Sequence, residues 1–365
     1  MSSLFTRCPE NPIITPGLYD WRRAVTFNPG VLLDDDGRFC LYERAAGGLR
    51  PFHCYIGLLE SEDGVHFTHV SDQPVFTPEM AGSQYGSVQD PRVVKIEGVY
   101  YMTYAFRPFA WSSHPTGVGV PDSHESEFPG IERAPFDPHN PGSANVQGGR
   151  PDNMTRSGIA ISTDRVHWRH HVWATPPDLD DRDVILFPDK INGRFAMLRR
   201  PIQFVGKEYG TDYPGIWISF SEDLENWSPP TLLLKPEYLW EDNRIGGSTP
   251  PLRTEAGWLV FYHGVENQHP PTRRVCYRLG AVLLDLEEPT RVLARTASCL
   301  MEPETYYERF GLYIPNVIFP TGVVLHDGII RLYYGVCDTA IALATAPLEQ
   351  VMERLLSRSS NMEDA

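Results

Sequence analysis

The residues best suited to chemistry are one carboxylate and a group of cations. Asp90 lies in Ser87-Val88-Gln89-Asp90-Pro91-Arg92. The proline after it disfavours the helical region for the preceding residue. The dipeptide therefore predicts an extended backbone at Asp90 and a rigid acid at a strand start, a placement that suits a proton donor. The plainer reading is an aspartate that opens a strand or accepts turn hydrogen bonds. The cations are Arg182 in Asp181-Arg182-Asp183, Lys190 in Pro188-Asp189-Lys190, Arg200 in Arg199-Arg200-Pro201, Arg244 in Asp242-Asn243-Arg244-Ile245-Gly246-Gly247 and His263 in Tyr262-His263-Gly264. Singly, each reads as a solvated charge or a strand-end ion pair. Brought to one place, they would hold a tetrahedral anion through charge-assisted hydrogen bonds. Gly246 and Gly247 would let the backbone come close to it.

The elements that must position these groups repeat along the chain. An apolar strand, a polar or glycine turn, an aromatic-rich strand and a third strand ending in a turn recur five times. Three copies share Ser-x-Asp-x-x-x-aromatic: Ser61 to Phe67, Ser162 to Trp168 and Ser221 to Trp227. A small sheet cannot bury both faces until its neighbours pack against it, so five such units predict an all-β, five-bladed β-propeller. Inner strands then face one channel, where side chains from adjacent blades converge. The reading is a single domain over residues 1–365, with an arm containing Asn11-Pro12-Ile13-Ile14 ahead of the first unit. Leu348, Val351, Met352 and Leu355 mark a C-terminal helix at 347–357 that packs outside the last blade, before a disordered tail. A Gly, Pro, His, Ser and Asp-rich insertion at 107–156 interrupts the second unit. It is read either as a loop over the channel face or as an assembly contact.

Composition narrows the class. A chain of 365 residues, 41% hydrophobic, can bury a full core. A net charge of -15 argues against a nucleic acid or anionic membrane as partner. Neither a leader pattern nor a long apolar run is present, and the expectation is a cytoplasmic protein. The six cysteines are scattered singly, as reduced and mostly buried thiols. His114, His124 and His139 lack metal-ligand spacing, and no nucleotide or flavin fingerprint occurs, so no metal and no cofactor are expected.

The ordered motifs Asn11-Pro12-Ile13, Phe27-Asn28-Pro29-Gly30, Gln89-Asp90-Pro91-Arg92 and Tyr333-Tyr334-Gly335-Val336-Cys337-Asp338-Thr339 make the chain similar to glycoside hydrolase family 130, the inverting β-mannoside phosphorylases and related β-mannosidases. The resemblance implies a five-bladed propeller, with Asp90 as the single catalytic acid. It implies that Asn28, Arg44 and Asp338 hold the mannosyl unit and that Arg182, Arg200, Arg244 and His263, with Lys190, bind phosphate. It also implies a proton relayed to the glycosidic oxygen through a mannose hydroxyl. Two departures stand out: Gln89 replaces the family's Glu, and Arg244 stands where Lys is common. Inorganic phosphate is then a co-substrate that needs positioning rather than a second carboxylate to activate it. The expected function is reversible phosphorolysis of a β-mannoside to α-mannose 1-phosphate and a shortened acceptor, with β-1,4 or β-1,2 linkage open. The alternatives are a β-mannosidase and a non-catalytic propeller that binds glycans or proteins. The expected partners are the mannoside oligosaccharide and phosphate, with homo-oligomers left open.

Overall fold

The computed structural model describes residues 4–110, 153–267, 275–312 and 314–357. A short edge strand, β1 (Thr6–Arg7), precedes blade one, which holds β2 (Val25–Leu33), β3 (Phe39–Ala46), β4 (Cys54–Ser61) and β5 (Thr68–His69). Blade two holds β6 (Ser87–Ile96), β7 (Val99–Arg107), β8 (Arg156–Ser162) and β9 (Arg169–Trp173). Blade three holds β10 (Asp181–Leu186), β11 (Phe195–Pro201), β12 (Ile216–Ser221) and β13 (Thr231–Leu234). Blade four holds β14 (Arg244–Gly247), β15 (Leu252–Thr254), β16 (Gly257–Asn267), β17 (Val275–Leu284) and β18 (Val292–Arg295). Blade five holds β19 (Ile318–His326), β20 (Ile329–Val336) and β21 (Ala340–Pro347), with β1 as its fourth strand. The five expected blades are present. The N-terminal arm, read from sequence as lying outside the repeats, is the clasp that closes the ring. Asn11 donates its amide to Leu343 O and accepts from Leu343 N, both at 2.8 Å.

The strands are apolar on both sides because each blade is packed on both sides. Consecutive residues point to opposite faces and so enter different interblade cores. Leu41 packs between blades five and one, and Tyr42 between blades one and two. Val93 and Val94 divide in the same way, as do Ile185 and Leu186, and Tyr333 and Tyr334. Helix α1 (Tyr306–Arg309) precedes β19, and α2 (Leu348–Leu356) buries Val351 and Leu355 against blades four and five. The tail after Ser357 lies outside the described residues. Among the described residues no helix is long and apolar enough to cross a membrane.

The Ser-x-Asp motif is a turn device. Asp63 Oδ1 accepts the backbone N–H groups of Val65 and His66, and Asp164 and Asp223 repeat the arrangement. Asp285 does the same in blade four with Glu287 and Glu288, a copy that lacks the serine. Strand β7 ends at Arg107, opposite Ser87, at the end of β6 nearer Asp90. The neck of the segment between β7 and β8 is fixed by reciprocal 2.8 Å hydrogen bonds between the Phe109 backbone and the Asn153 amide. The role expected for the 107–156 insertion, and its histidines, fall mostly on 111–152, outside the described residues.

Candidate active site

The inner strands of blades one to three break register at equivalent places: between Phe27 and Gly30, Gln89 and Arg92, and Arg182 and Ile185. Each break is a bulge that frees side chains from the ladder and re-aims them. One polar residue in each adopts left-handed backbone: Asn28 (φ 45°), Asp90 (φ 51°) and Asp183 (φ 53°). The extended conformation expected of Asp90 is therefore corrected. Proline's local preference yields to tertiary contacts that hold the bulge. Blade one comes so close that a Cβ on Gly30 would lie 2.7 Å from Pro91 O.

At the first corner of the site, Asp90 Oδ1 accepts from Asn28 Nδ2 and from Arg44 Nη1, each at 2.8 Å. Arg44 comes from the end of β3, opposite Phe27. Its guanidinium lies 4.3 Å from the Phe27 ring centroid, and its Nε contacts Cys54 Sγ at 3.3 Å. Burial works against the Arg44 charge, but Cys54, Asp90 and Asp338 outweigh it and hold the group above its ordinary value. Asp338, in the turn after β20 with φ 49°, is thus an electrostatic neighbour of Arg44. Asn28, Arg44, Asp90 and Asp338 are brought together. Gly335 makes room for Asn28, since a Cβ there would lie 2.1 Å from Asn28 Oδ1. Burial pushes the Asp90 carboxyl up, but Arg44, Arg92 and the Asn28 hydrogen bond outweigh it and hold it below the usual carboxylate range.

The second corner gathers cations. Antiparallel pairing sets Arg182 opposite Arg200 and Gly246 opposite His263, which brings residues distant in sequence to the same end of blades three and four. Arg200, 6% exposed, contacts Asp183 Oδ2 at 3.0 Å and donates to His263 Nε2 at 3.2 Å. Its Nε is buried without a hydrogen-bond partner among the described residues. Burial lowers the Arg200 pKa; Asp183 opposes that, and Arg244 and Arg182 add to it. Arg244 contacts Asn243 Oδ1 and donates to Tyr277 OH at 2.5 Å. Arg182, more exposed than Arg200, is held by Asp180 through two hydrogen bonds of 2.8 and 3.1 Å. A buried donor on Arg200, beside the like charges of Arg182 and Arg244, favours an incoming anion, which would relieve repulsion and supply an acceptor.

Two expectations change here. His263 belongs to the cluster, yet both its ring nitrogens are engaged: Nε2 accepts from Arg200, and Nδ1 pairs with Ser248 Oγ at 3.2 Å. Burial, then Arg200, Arg244 and Arg92, push its pKa well below the ordinary value, so the ring is neutral and orients Arg200. Lys190 is not in the cluster. It lies in the β10–β11 turn, at the opposite end of blade three from the Arg182–Arg200 pair, and forms a 2.7 Å ion pair with Glu97. Sequence alone could not tell which end of a hairpin faces the site. Asp183 and Arg92, not expected at the site from sequence, also lie in it. Gly246 is required by Asp183 rather than by an anion, since a Cβ there would lie 2.2 Å from Asp183 Oδ2.

Comparison with known proteins gives a consistent result. A glycoside hydrolase family model described as beta-1,4-mannooligosaccharide phosphorylase matches residues 7–115 and 149–357. A 1,2-beta-oligomannan phosphorylase of Thermoanaerobacter sp. (strain X514) is 34% identical over 352 residues, 94% of this chain and 98% of that protein. A beta-1,2-mannobiose phosphorylase of the same strain is 32% identical over 359 residues, 95% of this chain and 98% of that protein. Among solved structures, a beta-1,2-mannobiose phosphorylase from Listeria innocua in complex with beta-1,2-mannobiose shares the fold with a TM-score of 0.70. It is 24% identical, over 96% of this chain and 99% of that one.

Proposed function

The chain belongs to glycoside hydrolase family 130, and from that premise we infer that it is an inverting phosphorylase of β-linked mannosides, with Asp90 as the acid and the Arg182–Arg200–Arg244 cluster as the phosphate site. The observation that carries this assignment is the pairing of one carboxylate, held by Asn28 and Arg44, with an arginine cluster that contains a buried unused donor. An inverting hydrolase needs a second carboxylate to activate water. The carboxylates that touch the cluster, Asp183 and Asp180, are instead engaged in ion pairs, Asp183 with Arg92 and Arg200 and Asp180 with Arg182.

Asn28, Arg44 and Asp338 hold the mannosyl unit against the acid. Phosphate, fixed by the arginines, attacks C1 from the face opposite the leaving group. The C1–O bond to the acceptor sugar breaks as the phosphate O–C1 bond forms, which inverts the anomeric centre. Against burial, Arg44 and Arg92 favour the ionised Asp90 in the free protein, and the negative charge of bound phosphate opposes them. Asp90, so protonated, passes its proton through a mannose hydroxyl to the departing oxygen and regains one from the phosphate. Overall, the proton of HPO₄²⁻ ends on the released sugar and α-mannose 1-phosphate leaves. Positioning and charge compensation supply the rate enhancement, since phosphate is already a nucleophile.

For the linkage we propose β-1,2, because two relatives that align with this chain over nearly their whole length carry that linkage in their names. The experiment incubates the enzyme with β-1,2- and β-1,4-mannobiose, with and without phosphate, and measures mannose 1-phosphate and mannose. Phosphate-dependent mannose 1-phosphate from the β-1,2 substrate is expected. Preference for β-1,4-mannobiose would reject the linkage, and equal mannose release in phosphate-free buffer would reject the phosphorylase assignment.

A further inference from the structure

Arg92 is assigned no step of the reaction above, yet its side chain meets residues from four blades. It is 2% exposed and stands two residues beyond Asp90 on β6. Its Nη1 donates to the carbonyl oxygen of Asp90 at 2.9 Å, its Nε donates to Ser248 O at 3.2 Å, and its Nη2 reaches Asp183 Oδ1 at 3.2 Å. The guanidinium carbon lies 5.7 Å from the centroid of the Phe319 ring. These partners come from blades two, four, three and five in turn.

We propose that Arg92 is a positioning residue for the acid: it fixes Asp90 in its left-handed bulge and ties that bulge, through Asp183, to the arginine cluster. The proposal rests on the assignment of Asp90 as the proton donor. Asp90 and Pro91 have no register partners, because the β6–β7 ladder breaks between Gln89 and Arg92. Pro91 also lacks an N–H, so the local backbone has little of its own to hold a strained conformation. Arg92 supplies the missing donor from the side chain. The equivalent bulges offer no such group, for the residues two beyond Asn28 and Asp183 are Gly30 and Ile185.

The fork is specific to arginine. Its three nitrogens address three partners in one plane, an arrangement that a lysine ammonium cannot reproduce. Asp183 receives Arg92 on Oδ1 and Arg200 on Oδ2, so displacement of Arg200 by a bound anion is felt at Arg92 and hence at the Asp90 carbonyl. The charged and titratable neighbours of the Asp90 carboxyl are Arg44 on β3, Cys54 on β4, Arg92 on β6 and His263 on β16. Asp338 lies behind Arg44. Arg44 and Arg92 are the cations that keep the carboxyl below its usual range.

The test uses full-length Arg92→Gln and Arg92→Lys, with kcat, both KM values and the alkaline limb of the pH–rate profile measured per folded enzyme. Removing the fork should lower kcat by about 10- to 100-fold in Arg92→Gln with mannoside KM changed less than about threefold, the signature of a misplaced acid rather than a lost binding group. Removing the charge should also move the alkaline limb upward by about half a pH unit or more. Arg92→Lys should keep the limb where it is and still lose about tenfold in kcat. Wild-type kcat in Arg92→Lys, or an unmoved limb in folded Arg92→Gln, would overturn the proposal. If Arg92→Gln does not fold, kcat of Arg92→Lys decides alone. Full turnover in Asp90→Asn would remove the acid assignment itself. An inactive Asp90→Asn beside wild-type Arg92 variants would remove only the role of Arg92.

Discussion

The Asn28 amide donates to Asp90 Oδ1 at 2.8 Å, joining two left-handed bulge residues across the seam between blades one and two. The pair exists only because position 335 carries no Cβ. Gly335→Ala should therefore push Asn28 off Asp90 while leaving the five blades folded. Turnover should fall by about tenfold or more, as expected for a displaced catalytic geometry, and Asn28→Ala should produce a comparable loss. Kinetics and melting temperatures of the two variants check this. Wild-type turnover in Gly335→Ala would show that the hydrogen bond does not matter to the reaction.

Asp90→Asn keeps the shape of the side chain and the backbone of the bulge but removes the proton. Turnover should drop by a factor on the order of 10²–10⁴, the range for loss of general acid catalysis, with mannoside KM nearly unchanged. Steady-state kinetics beside a circular dichroism control measure it.

The cation cluster makes graded predictions. Arg200→Ala should raise the phosphate KM by about tenfold or more, since a charge-assisted, orienting contact is lost. His263→Ala should raise it less, because the ring acts on the anion through Arg200. Lys190→Ala should leave phosphate kinetics within about twofold, as removal of an exposed ion pair distant from the site costs little. A phosphate titration of the three variants gives the ranking, and a Lys190 effect as large as that of Arg200 would contradict it.

Asp181, fully buried at the start of β10, has its pKa pushed up to about 6 by burial and by Asp180, against the pairing with Arg199. Its folded pKa thus lies above the unfolded value of 3.8. Between those values the native chain holds a proton that the unfolded chain has released, so this contribution to stability falls as pH rises from about 4 to about 7. The contribution over the whole window is on the order of 3 kcal/mol. Asp90, Glu43 and Glu308 are held below their ordinary values and give the opposite slope only below about pH 4.5. Burial holds His263 and His170 below their ordinary value, which gives the opposite slope in the same window, so the Asp181 contribution is read as a difference. In urea unfolding at pH 5 and pH 7, stability should fall more, or rise less, with pH in the wild type than in Asp181→Asn. Equal slopes in both would exclude Asp181 as the source.

Much of this protein was legible in its sequence because the signals are local. Alternation within each strand sends neighbours such as Tyr333 and Tyr334 into different cores, and that alternation is visible as repeated apolar runs. The Ser-x-Asp turn is equally local, since Asp63 bonds to residues only two and three positions ahead. The Asp90 motif and the arginines stood out as candidates for chemistry by residue type, whereas Asp338 at the end of the last blade was marked only by the family resemblance.

What the tertiary structure decided depends on which strand ends meet. Lys190 and Arg200 lie ten positions apart on one hairpin, but register sends them to opposite ends of blade three. The N-terminal arm supplies a closing strand, Thr6–Arg7, with Asn11 bonded beside it, because the edge of blade five was left unpaired by the chain's last strands. The left-handed backbone at Asp90 runs against its own proline and is held by Asn28, Arg44 and Arg92, which arrive from other strands or reach back from beyond the bulge. Composition and periodicity determined that five sheets would stack around a channel. Only the packed ring could determine which charges face one another inside it, because long-range pairing overrides the local backbone preferences that a sequence records.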